Sequence, residues 1–267
     1  MARILAVVNQ KGGVGKTTTS VNLAASLAAL GRLVLLVDLD PQGNATMGSG
    51  IEKGQLTHSI YTVLLGQSEV EQAKQQSPTG KFDILPSNRE LAGAEIELVD
   101  VQQRESRLKA ALLALEPNYD FVIIDCPPSL NLLTVNALTV AHAVLIPMQC
   151  EYYALEGLSD LVQTLKKVRA HLNPVLEIEG LLRTMFDPRN SLAQQVSAQL
   201  EQHFGAKVYK TVIPRNIRLA EAPSYGKPVM YYDQTSKGAL AYHALAAELL
   251  ERAEQQNKEE IIDDQTT

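Results

Sequence analysis

Short runs of apolar residues alternate along the chain with stretches in which apolar residues recur every three or four positions. The runs that predict strands most clearly cover residues 3–9, 32–38, 121–125 and 143–148. Nearly continuous apolar runs of this kind are typical of parallel strands that are covered on both faces. Three more runs predict further strands at residues 82–85, 178–184 and 207–213.

Helical spacing of apolar residues predicts helices between these strands. The segments concerned are residues 17–30, 105–115, 132–141 and 153–172, with a closing helix at residues 235–253. Strands that alternate with helices are typical of the α/β class, so we expect a doubly wound, mostly parallel sheet with helices on both faces. The 267 residues show no internal repeat and no clear linker, which indicates a single domain. We place that domain at residues 1–254 and expect the acidic residues 255–267 to form a disordered tail.

The formal net charge of −6 argues against a nucleic-acid partner, but this charge is unevenly distributed. Residues 251–267 carry −4 of it, which leaves only −2 on the rest of the chain. Residues 181–230 hold seven basic and three acidic side chains, a local charge of +4. A positive segment of this kind is a candidate surface for a polyanion.

Cysteine content and hydropathy indicate the cellular compartment in which the protein works. Cys126 and Cys150 are too few for a disulfide framework, and the N-terminus carries no signal pattern. No apolar run approaches the length of about 18 residues that a membrane span requires. The acidic C-terminal segment also lacks the basic face of a membrane-surface helix. We therefore expect a cytoplasmic protein with no membrane partner.

A glycine-rich segment follows the first predicted strand and precedes the first predicted helix. Gly12, Gly13 and Gly15 let successive backbone N–H groups approach anionic oxygens without a Cβ in the way. Lys16 then places an ammonium on the β- and γ-phosphates of a nucleotide, and Thr17 offers a hydroxyl to Mg²⁺. We therefore expect a P-loop NTPase that binds ATP and Mg²⁺ here. The residues assigned to the nucleotide are Lys11, Gly12, Gly13, Val14, Gly15, Lys16, Thr17 and Thr18.

The glycine-rich segment departs from the common P-loop pattern at two positions. Gln10 stands where the common pattern has glycine, and Lys11 adds a lysine before the double glycine. With these departures, the segment resembles the deviant Walker A motif of the ParA/MinD ATPase family. The resemblance implies that Lys11 reaches across an ATP-bound homodimer to the partner's phosphates. Lys11 and Lys16 are accordingly assigned to the catalytic set.

Acidic residues follow two of the predicted strands. Asp125 closes the run Phe-Val-Ile-Ile-Asp and is expected to hold Mg²⁺ together with Thr17. Asp38 and Asp40 follow the second predicted strand, at the sheet edge where doubly wound folds bind ligands. The family resemblance implies that Asp40 orients or activates the attacking water. Asp38 is expected to support either the Mg²⁺ shell or the loop.

Beyond the loop, residues 2–250 resemble the chromosome- and plasmid-partitioning ATPases called ParA or Soj. The motifs that carry this resemblance are NQKGGVGKTT at 9–18, VDLDPQGNAT at 37–46, IIDCPPS at 123–129, EYYALEG at 151–157 and IPRNIRLAEAPSYGKP at 213–228. The resemblance implies an ATPase that is slow by itself and whose ATP-bound homodimer binds nonspecific double-stranded DNA on the nucleoid. It also implies a centromere-binding partner of the ParB type that stimulates hydrolysis.

The resemblance extends to residues outside the phosphate loop. Family members bind DNA through arginines at the positions of Arg189 and Arg218, and Arg215 and Lys227 are further candidates for phosphate contacts. For Arg215 a second interpretation stays open, in which it faces the nucleotide. The positions that match the family's adenine contacts are Met185, Pro214 and Asn216.

A different biological role is compatible with the same motifs. A relative that positions another cargo would act as a nucleotide-dependent binding module on nucleoid DNA. The sequence does not distinguish that role from partitioning, nor chromosomal from plasmid cargo. A MinD-like membrane ATPase is disfavoured by the acidic C-terminal segment. The placement of Cys126 and Cys150 does not fit the shared cluster of nitrogenase-type iron proteins.

Overall fold

The computed structural model describes residues 2–113 and 118–264, and for residues 256–264 it describes the backbone only. Its strands are β1 (Arg3–Val7), β2 (Val34–Asp38), β3 (Gln75–Gln76), β4 (Asp83–Leu85), β5 (Phe121–Asp125), β6 (Ala143–Met148) and β7 (Glu177–Arg183). They form one sheet in the order β3-β4-β2-β5-β1-β6-β7. Every neighbouring pair is parallel except β3 with β4, so the prediction of a mostly parallel sheet is confirmed.

Helices connect the strands and cover both faces of the sheet. They are α1 (Lys16–Ala29), α2 (Asn44–Gly48), α3 (Ile60–Leu64), α4 (Val70–Ala73), α5 (Leu91–Glu97), α6 (Arg107–Leu112), α7 (Leu132–Val140), α8 (Ala154–His171), α9 (Ser191–Phe204), α10 (Ile217–Glu221), α11 (Val229–Tyr232) and α12 (Lys237–Asp264). Short 3₁₀ segments lie at Lys53–Gln55, Arg104–Ser106, Gly205–Lys207 and Ala222–Tyr225.

The hydrophobic core consists of two clusters, one on each face of the sheet. Successive side chains of a strand point to opposite faces, so Ile4 and Ala6 pack into one cluster and Leu5 and Val7 into the other. The first cluster includes buried residues of α3 and α5 to α9, whereas the second is formed mainly with α1 and α12. This two-sided burial explains why the strands appear in the sequence as continuous apolar runs.

One predicted strand does not form. Residues 207–213 make a single parallel bridge, between Leu181 and Val208, and otherwise follow an irregular path. The backbone N–H groups of Lys210 and Thr211 donate to the Glu248 carboxylate of α12, each over 2.8 Å. Glu248 therefore binds two N–H groups in the middle of this segment, while Tyr209 and Ile213 on either side donate to carbonyl oxygens of β7. The short edge strand β3, made of two glutamines, has no apolar run that could have predicted it.

The closing helix is longer than its apolar pattern indicates. α12 continues to Asp264, past the predicted end at residue 253 and through most of the segment expected to be a disordered tail. No glycine or proline interrupts the chain between residues 239 and 264, and its Glu, Gln and Lys residues are good helix formers. The end of the helix predicted at residues 105–115 lies outside the described residues. Within the described part of the chain, no helix is long and apolar enough to cross a membrane.

The position of β1 determines where a ligand can bind. β1 pairs with β5 on one side and with β6 on the other. The chain leaves β1 towards β2 on the β5 side, and it reaches β6 and β7 on the opposite side. The carboxyl end of β1 is therefore the switch point of the sheet, where doubly wound folds bind their ligands.

Candidate functional site

The loop between β1 and α1 adopts a conformation that favours glycine. Gly13 and Gly15 have φ angles of 75° and 89°, in the left-handed region that other residues rarely adopt. Gly15 is the N-cap of α1 and offers no side-chain cap, so the first N–H groups of the helix lack that partner. Because a helix N-terminus also carries a partial positive charge, this loop is suited to bind an anion.

Lys16 lies at the start of α1 with its side chain buried at the base of the loop. Its ammonium donates to the carbonyl oxygen of Lys11 over 3.3 Å. Burial lowers the pKa of this ammonium, while the nearby carboxylates of Asp125 and Asp40 oppose the shift. A buried cation held beside a glycine loop is a partner for phosphate oxygens.

Asp125 is fully buried at the end of β5 and is linked to α1 by two hydroxyl groups. Thr17 donates to one of its carboxylate oxygens over 2.7 Å, and Ser20 donates to the other over 2.9 Å. Burial and the neighbouring Asp38 raise the pKa of the Asp125 carboxyl. The pair of Thr17 and Asp125 brings a hydroxyl and a carboxylate together, which is the oxygen chemistry that Mg²⁺ prefers.

Asp38 and Asp40 have different surroundings although they are two residues apart. The Asp38 carboxylate is fully buried and accepts hydrogen bonds from the backbone of Asp40 at 3.2 Å and from the backbone and hydroxyl of Thr46, both at 2.7 Å. Asp40 instead lines an open cavity, and its carboxylate accepts from the backbone of Gln42 at 2.9 Å. Of the two roles that the sequence left open for Asp38, this geometry favours support of the loop.

The cavity beside the loop has a volume of about 610 Å³, within the usual range for small-molecule sites. The predicted site residues on its wall are Gly12, Gly13, Gly15, Lys16, Thr17, Thr18, Asp40, Met185, Pro214, Arg215 and Asn216. The structure thus brings the phosphate loop together with the predicted adenine residues, which are far apart in the sequence. Val14 is buried and contributes its carbonyl oxygen, which accepts from Thr184 over 2.7 Å.

Met185 has a backbone conformation that is uncommon for its residue type. Its φ angle is 49°, and its sulfur accepts a hydrogen bond from the Gln149 amide over 2.8 Å. The same amide lies 3.4 Å from the carbonyl oxygen of Gly13. Gln149 therefore joins the phosphate loop to the residue predicted to contact adenine.

The shape and chemistry of this cavity fit ATP with Mg²⁺. A Cβ built on Gly12 or Gly13 would meet no atom within 4 Å, so space is open beside the loop backbone. The buried Lys16 ammonium and the N-terminus of α1 suit the phosphates, and the Thr17 hydroxyl beside Asp125 suits the cation. In the described part of the chain, no group of three or more His, Cys, Asp or Glu residues is arranged to hold a metal ion by itself. The cation would therefore take its remaining ligands from phosphate and water, as Mg²⁺ commonly does.

Lys11 does not line the cavity of its own chain among the described residues. Its ammonium forms an ion pair with Glu151, and its side chain is 52% exposed. The loop backbone is held by Asn9, whose side chain accepts from the Lys11 N–H over 2.9 Å and donates to the carbonyl of Pro147 over 2.8 Å. The Lys11 ammonium is therefore held at Glu151, whereas Lys16 lies at the base of the loop.

The predicted DNA residues are exposed and have different neighbours. Arg189 and Arg218 pair with carboxylates of their own chain. Arg215 lies on the wall of the nucleotide cavity, which supports the second interpretation that the sequence left open for it. Lys227 lines a smaller cavity of about 400 Å³ that shares Thr17 and other residues with the first.

Sequence reasoning missed the residues that hold the loops of the site in place. Thr46 and Ser87 fix the Asp38–Asp40 segment, because Thr46 binds Asp38 and the Ser87 hydroxyl donates to the Asp40 carbonyl over 2.9 Å. Thr184 anchors the phosphate loop from the end of β7. Its place at the end of a predicted strand was a signal that could have identified it. Ser20 had no such signal, since its role depends on the packing of α1 against β5.

Comparison with known proteins gives consistent matches over almost the whole chain. The family model described as AAA domain matches residues 2–178. The sporulation initiation inhibitor protein Soj of Bacillus subtilis is 56% identical over 249 residues, which cover 93% of this chain and 98% of that protein. The chromosome partitioning protein ParA of Caulobacter vibrioides is 52% identical over 252 residues, which cover 94% of each.

A solved structure also resembles this fold closely. The cobyrinic acid a,c-diamide synthase from Mycobacterium smegmatis, crystallised with ADP and magnesium, superposes with a TM-score of 0.83. It is 40% identical in sequence, and the match covers 95% of this chain and 96% of that one. A protein with the same fold and a similar sequence therefore binds an adenine nucleotide and magnesium.

Proposed function

Because this chain belongs to the family of ParA and Soj chromosome-partitioning proteins, we propose that it is the nucleotide-driven switch of a DNA-partitioning system. It is an ATPase, and its cofactors are ATP and Mg²⁺. The observation that carries the proposal is the convergence of Lys16, Thr17 and Asp40 on one cavity at the switch point of the sheet.

Different side chains around this cavity bind the phosphates, position the cation and orient the attacking water during hydrolysis. Lys16 and the N-terminus of α1 bind the phosphates, and Thr17 with Asp125 positions the cation. Bound Mg²⁺ supplies charge neutralisation on the phosphate oxygens. Of the carboxylates of Asp38, Asp40 and Asp125, that of Asp40 lines the cavity, and it orients the attacking water.

The position of Lys11 supports the proposed dimerisation. Its ammonium lies at Glu151 and outside its own cavity, so it is free to serve a second subunit at the cost of one surface ion pair. Exposed ion pairs contribute only about 0–1 kcal/mol, so this pairing is easily exchanged for a phosphate. The proposed active form is an ATP-bound homodimer in which each Lys11 contacts the partner's nucleotide.

DNA binding and hydrolysis by the dimer complete the proposed cycle. Arg189, Arg218 and Lys227 are exposed cations that suit a phosphate backbone, and such contacts carry no sequence information. The dimer binds nonspecific double-stranded DNA, which places the protein on the nucleoid in the cytoplasm. A ParB-type centromere-binding partner stimulates hydrolysis and releases the dimer from DNA.

The decisive experiment measures ATP hydrolysis by the purified protein with Mg²⁺, alone, with DNA, with the ParB-type partner, and with both. We expect slow turnover by itself and the fastest turnover when DNA and the partner are both present. Lys16→Ala is the control, because without the ammonium it should show neither hydrolysis nor nucleotide-dependent DNA retention. If neither DNA nor the partner changes the turnover of the wild type, the partitioning role is wrong while the ATPase assignment stands.

A further inference from the structure

The positive segment at residues 181–230 neutralises part of its own charge. It contains three acidic residues, and each of them forms an ion pair with an arginine of the same segment. The pairs are Glu201 with Arg183, Asp187 with Arg189, and Glu221 with Arg218. The first pair is structural, because the Arg183 guanidinium is buried and also donates to the carbonyl of Tyr209 over 2.7 Å. The other two lie on the surface and involve the arginines proposed to bind DNA.

Arg218 is held by two carboxylates. Its Nη1 lies 2.8 Å from Glu221 and its Nε lies 3.2 Å from Asp233. The Tyr232 hydroxyl donates to the same oxygen of Glu221 over 3.2 Å. The Glu221 carboxylate is therefore fixed in front of the guanidinium by a second contact.

Arg189 makes a two-pronged pair with Asp187. Its Nε donates to one carboxylate oxygen over 3.0 Å and its Nη2 donates to the other over 2.8 Å. The Arg189 side chain is 89% exposed, so nothing else that the structure describes holds it. These hydrogen bonds keep the pKa of the Asp187 carboxyl at about 2, so this carboxylate stays ionised at neutral pH. The Asp187 carboxylate therefore accepts from the same two N–H groups of the guanidinium that would bind a phosphate.

The two pairs lie beside the nucleotide cavity. Arg218 belongs to α10, whose neighbouring residues Ile217 and Leu219 line that cavity. Asp187 and Arg189 follow Met185, which also lines that cavity. By contrast, Lys227 forms no ion pair with other residues that the structure describes.

We propose that Glu221 and Asp187 are internal counter-ions that compete with DNA phosphates for Arg218 and Arg189 and thereby lower the DNA affinity of each subunit. This inference depends on the proposed DNA binding and specifies how its strength is set. Each phosphate contact must displace a carboxylate that is already in place, so a single subunit binds weakly. A dimer presents two such surfaces to one duplex, and the combined free energy of their phosphate contacts exceeds that of the displaced carboxylate pairs.

The test uses the isosteric variants Glu221→Gln and Asp187→Asn, which remove the charge and keep an oxygen acceptor. Affinity for a duplex of arbitrary sequence is measured by fluorescence anisotropy over a series of salt concentrations, in the presence of Mg²⁺ and a slowly hydrolysed ATP analogue. Each variant should bind about two- to fivefold more tightly than the wild type, which corresponds to the energy of an exposed ion pair. The slope of log affinity against log salt concentration should change by much less than one unit, because the wild-type and variant complexes contain the same phosphate contacts.

Two controls separate competition from a general change in charge. Asp100→Asn makes the same change at an exposed carboxylate after α5. Asp100 forms no ion pair with described residues, and its replacement should leave DNA affinity almost unchanged. Glu221→Gln in an Arg218→Ala background should give no gain, because the arginine that it frees from one of its two carboxylates is missing. ATP turnover without DNA should equal that of the wild type in both isosteric variants.

Three outcomes overturn the inference in different ways. If the wild type binds DNA and the isosteric variants bind equally well, the competition is absent although the DNA binding stands. If Glu221→Gln binds more weakly, the carboxylate positions Arg218 for DNA and does not compete with it. If no variant binds DNA at the lowest salt, the proposed DNA binding is refuted and this inference with it.

Discussion

The Thr17 hydroxyl donates to the Asp125 carboxylate over 2.7 Å and thereby joins the first turn of α1 to the last residue of β5. The two residues are 108 positions apart in the sequence. Their contact depends on the parallel pairing of β1 with β5, in which Val7 lies opposite Asp125. The same register places the phosphate loop, which follows β1, beside the carboxylate that ends β5.

Replacing Thr17 tests the hydroxyl at the proposed Mg²⁺ site. Thr17→Ala removes the hydroxyl, and we expect Mg²⁺-dependent ATP turnover to fall by about 100-fold or more, since a metal contact contributes several kcal/mol to catalysis. Thr17→Ser keeps the hydroxyl and should retain most of the activity. Steady-state phosphate release at varied Mg²⁺ measures both variants. Normal turnover by Thr17→Ala would remove this residue from the metal site.

Replacing Asp40 separates catalysis from ATP binding. Asp40→Ala should lower single-turnover hydrolysis by about 10²- to 10⁴-fold, the usual contribution of a residue that positions or deprotonates the nucleophile. ATP-dependent dimers should still form, because Asp40 makes its contacts with the backbone of Gln42 and not with the phosphate loop. Hydrolysis is followed by rapid quench and dimerisation by sedimentation. Turnover at the wild-type rate would refute the catalytic assignment.

Subunit mixing tests whether Lys11 acts on the partner's nucleotide. Lys11→Ala and Lys16→Ala should each be inactive alone. In a mixed dimer, the intact Lys16 of one subunit and the intact Lys11 of the other complete one site, so mixing should restore part of the activity. The measurement is ATP turnover as the ratio of the two variants is varied at constant total protein. If mixing restores nothing while mixed dimers form, Lys11 acts within its own subunit.

Charge reversal at Arg218 tests the DNA surface. Arg218→Glu should keep ATP-dependent dimerisation and lose binding to nonspecific DNA. The substitution replaces a cation that binds DNA phosphates by a carboxylate that they repel, beside the carboxylates of Glu221 and Asp233. Arg169→Glu on α8 is the matched control, since this exposed arginine forms no ion pair with described residues, and it should bind DNA as the wild type does. A gel shift at moderate salt distinguishes them. Retained DNA binding by Arg218→Glu would place the surface elsewhere.

Gly180 tests the packing that replaces the missing strand. A Cβ on Gly180 would come within 2.5 Å of the Tyr209 ring and 2.8 Å of the Lys207 carbonyl, so Gly180→Ala should lower the free energy of unfolding by about 1–3 kcal/mol. Gly157 in α8 has open space around its Cβ position, and Gly157→Ala should raise stability by about 0.5–1 kcal/mol. Urea unfolding followed by circular dichroism compares the two. Equal stability of both variants would contradict the close packing of Tyr209 on β7.

Long-range hydrogen bonds explain where the sequence-based predictions were incomplete. The apolar residues between 207 and 213 suit a strand, yet Glu248 of α12 binds two backbone N–H groups in the middle of this segment and interrupts its hydrogen bonding with β7. The different surroundings of Asp38 and Asp40 also depend on contacts across the fold. Thr46 donates hydrogen bonds to the Asp38 carboxylate, whereas Asp40 lines the cavity. Such choices between partners are made by packing, and local patterns do not contain them.

The sequence by itself determined the class of fold and the chemistry of the phosphate loop. Continuous apolar runs specify buried parallel strands, and the order of glycines, lysines and threonine between residues 11 and 18 specifies an anion site at a helix start. Only the tertiary structure decided that Met185, Pro214 and Asn216 meet this loop around one cavity, and that the Lys11 ammonium is held at Glu151. It also decided that Arg189 and Arg218 are paired with carboxylates. The physical reason is that strand and helix patterns arise from local spacing, whereas the partner of a charged side chain depends on which distant segments the fold brings within hydrogen-bond distance.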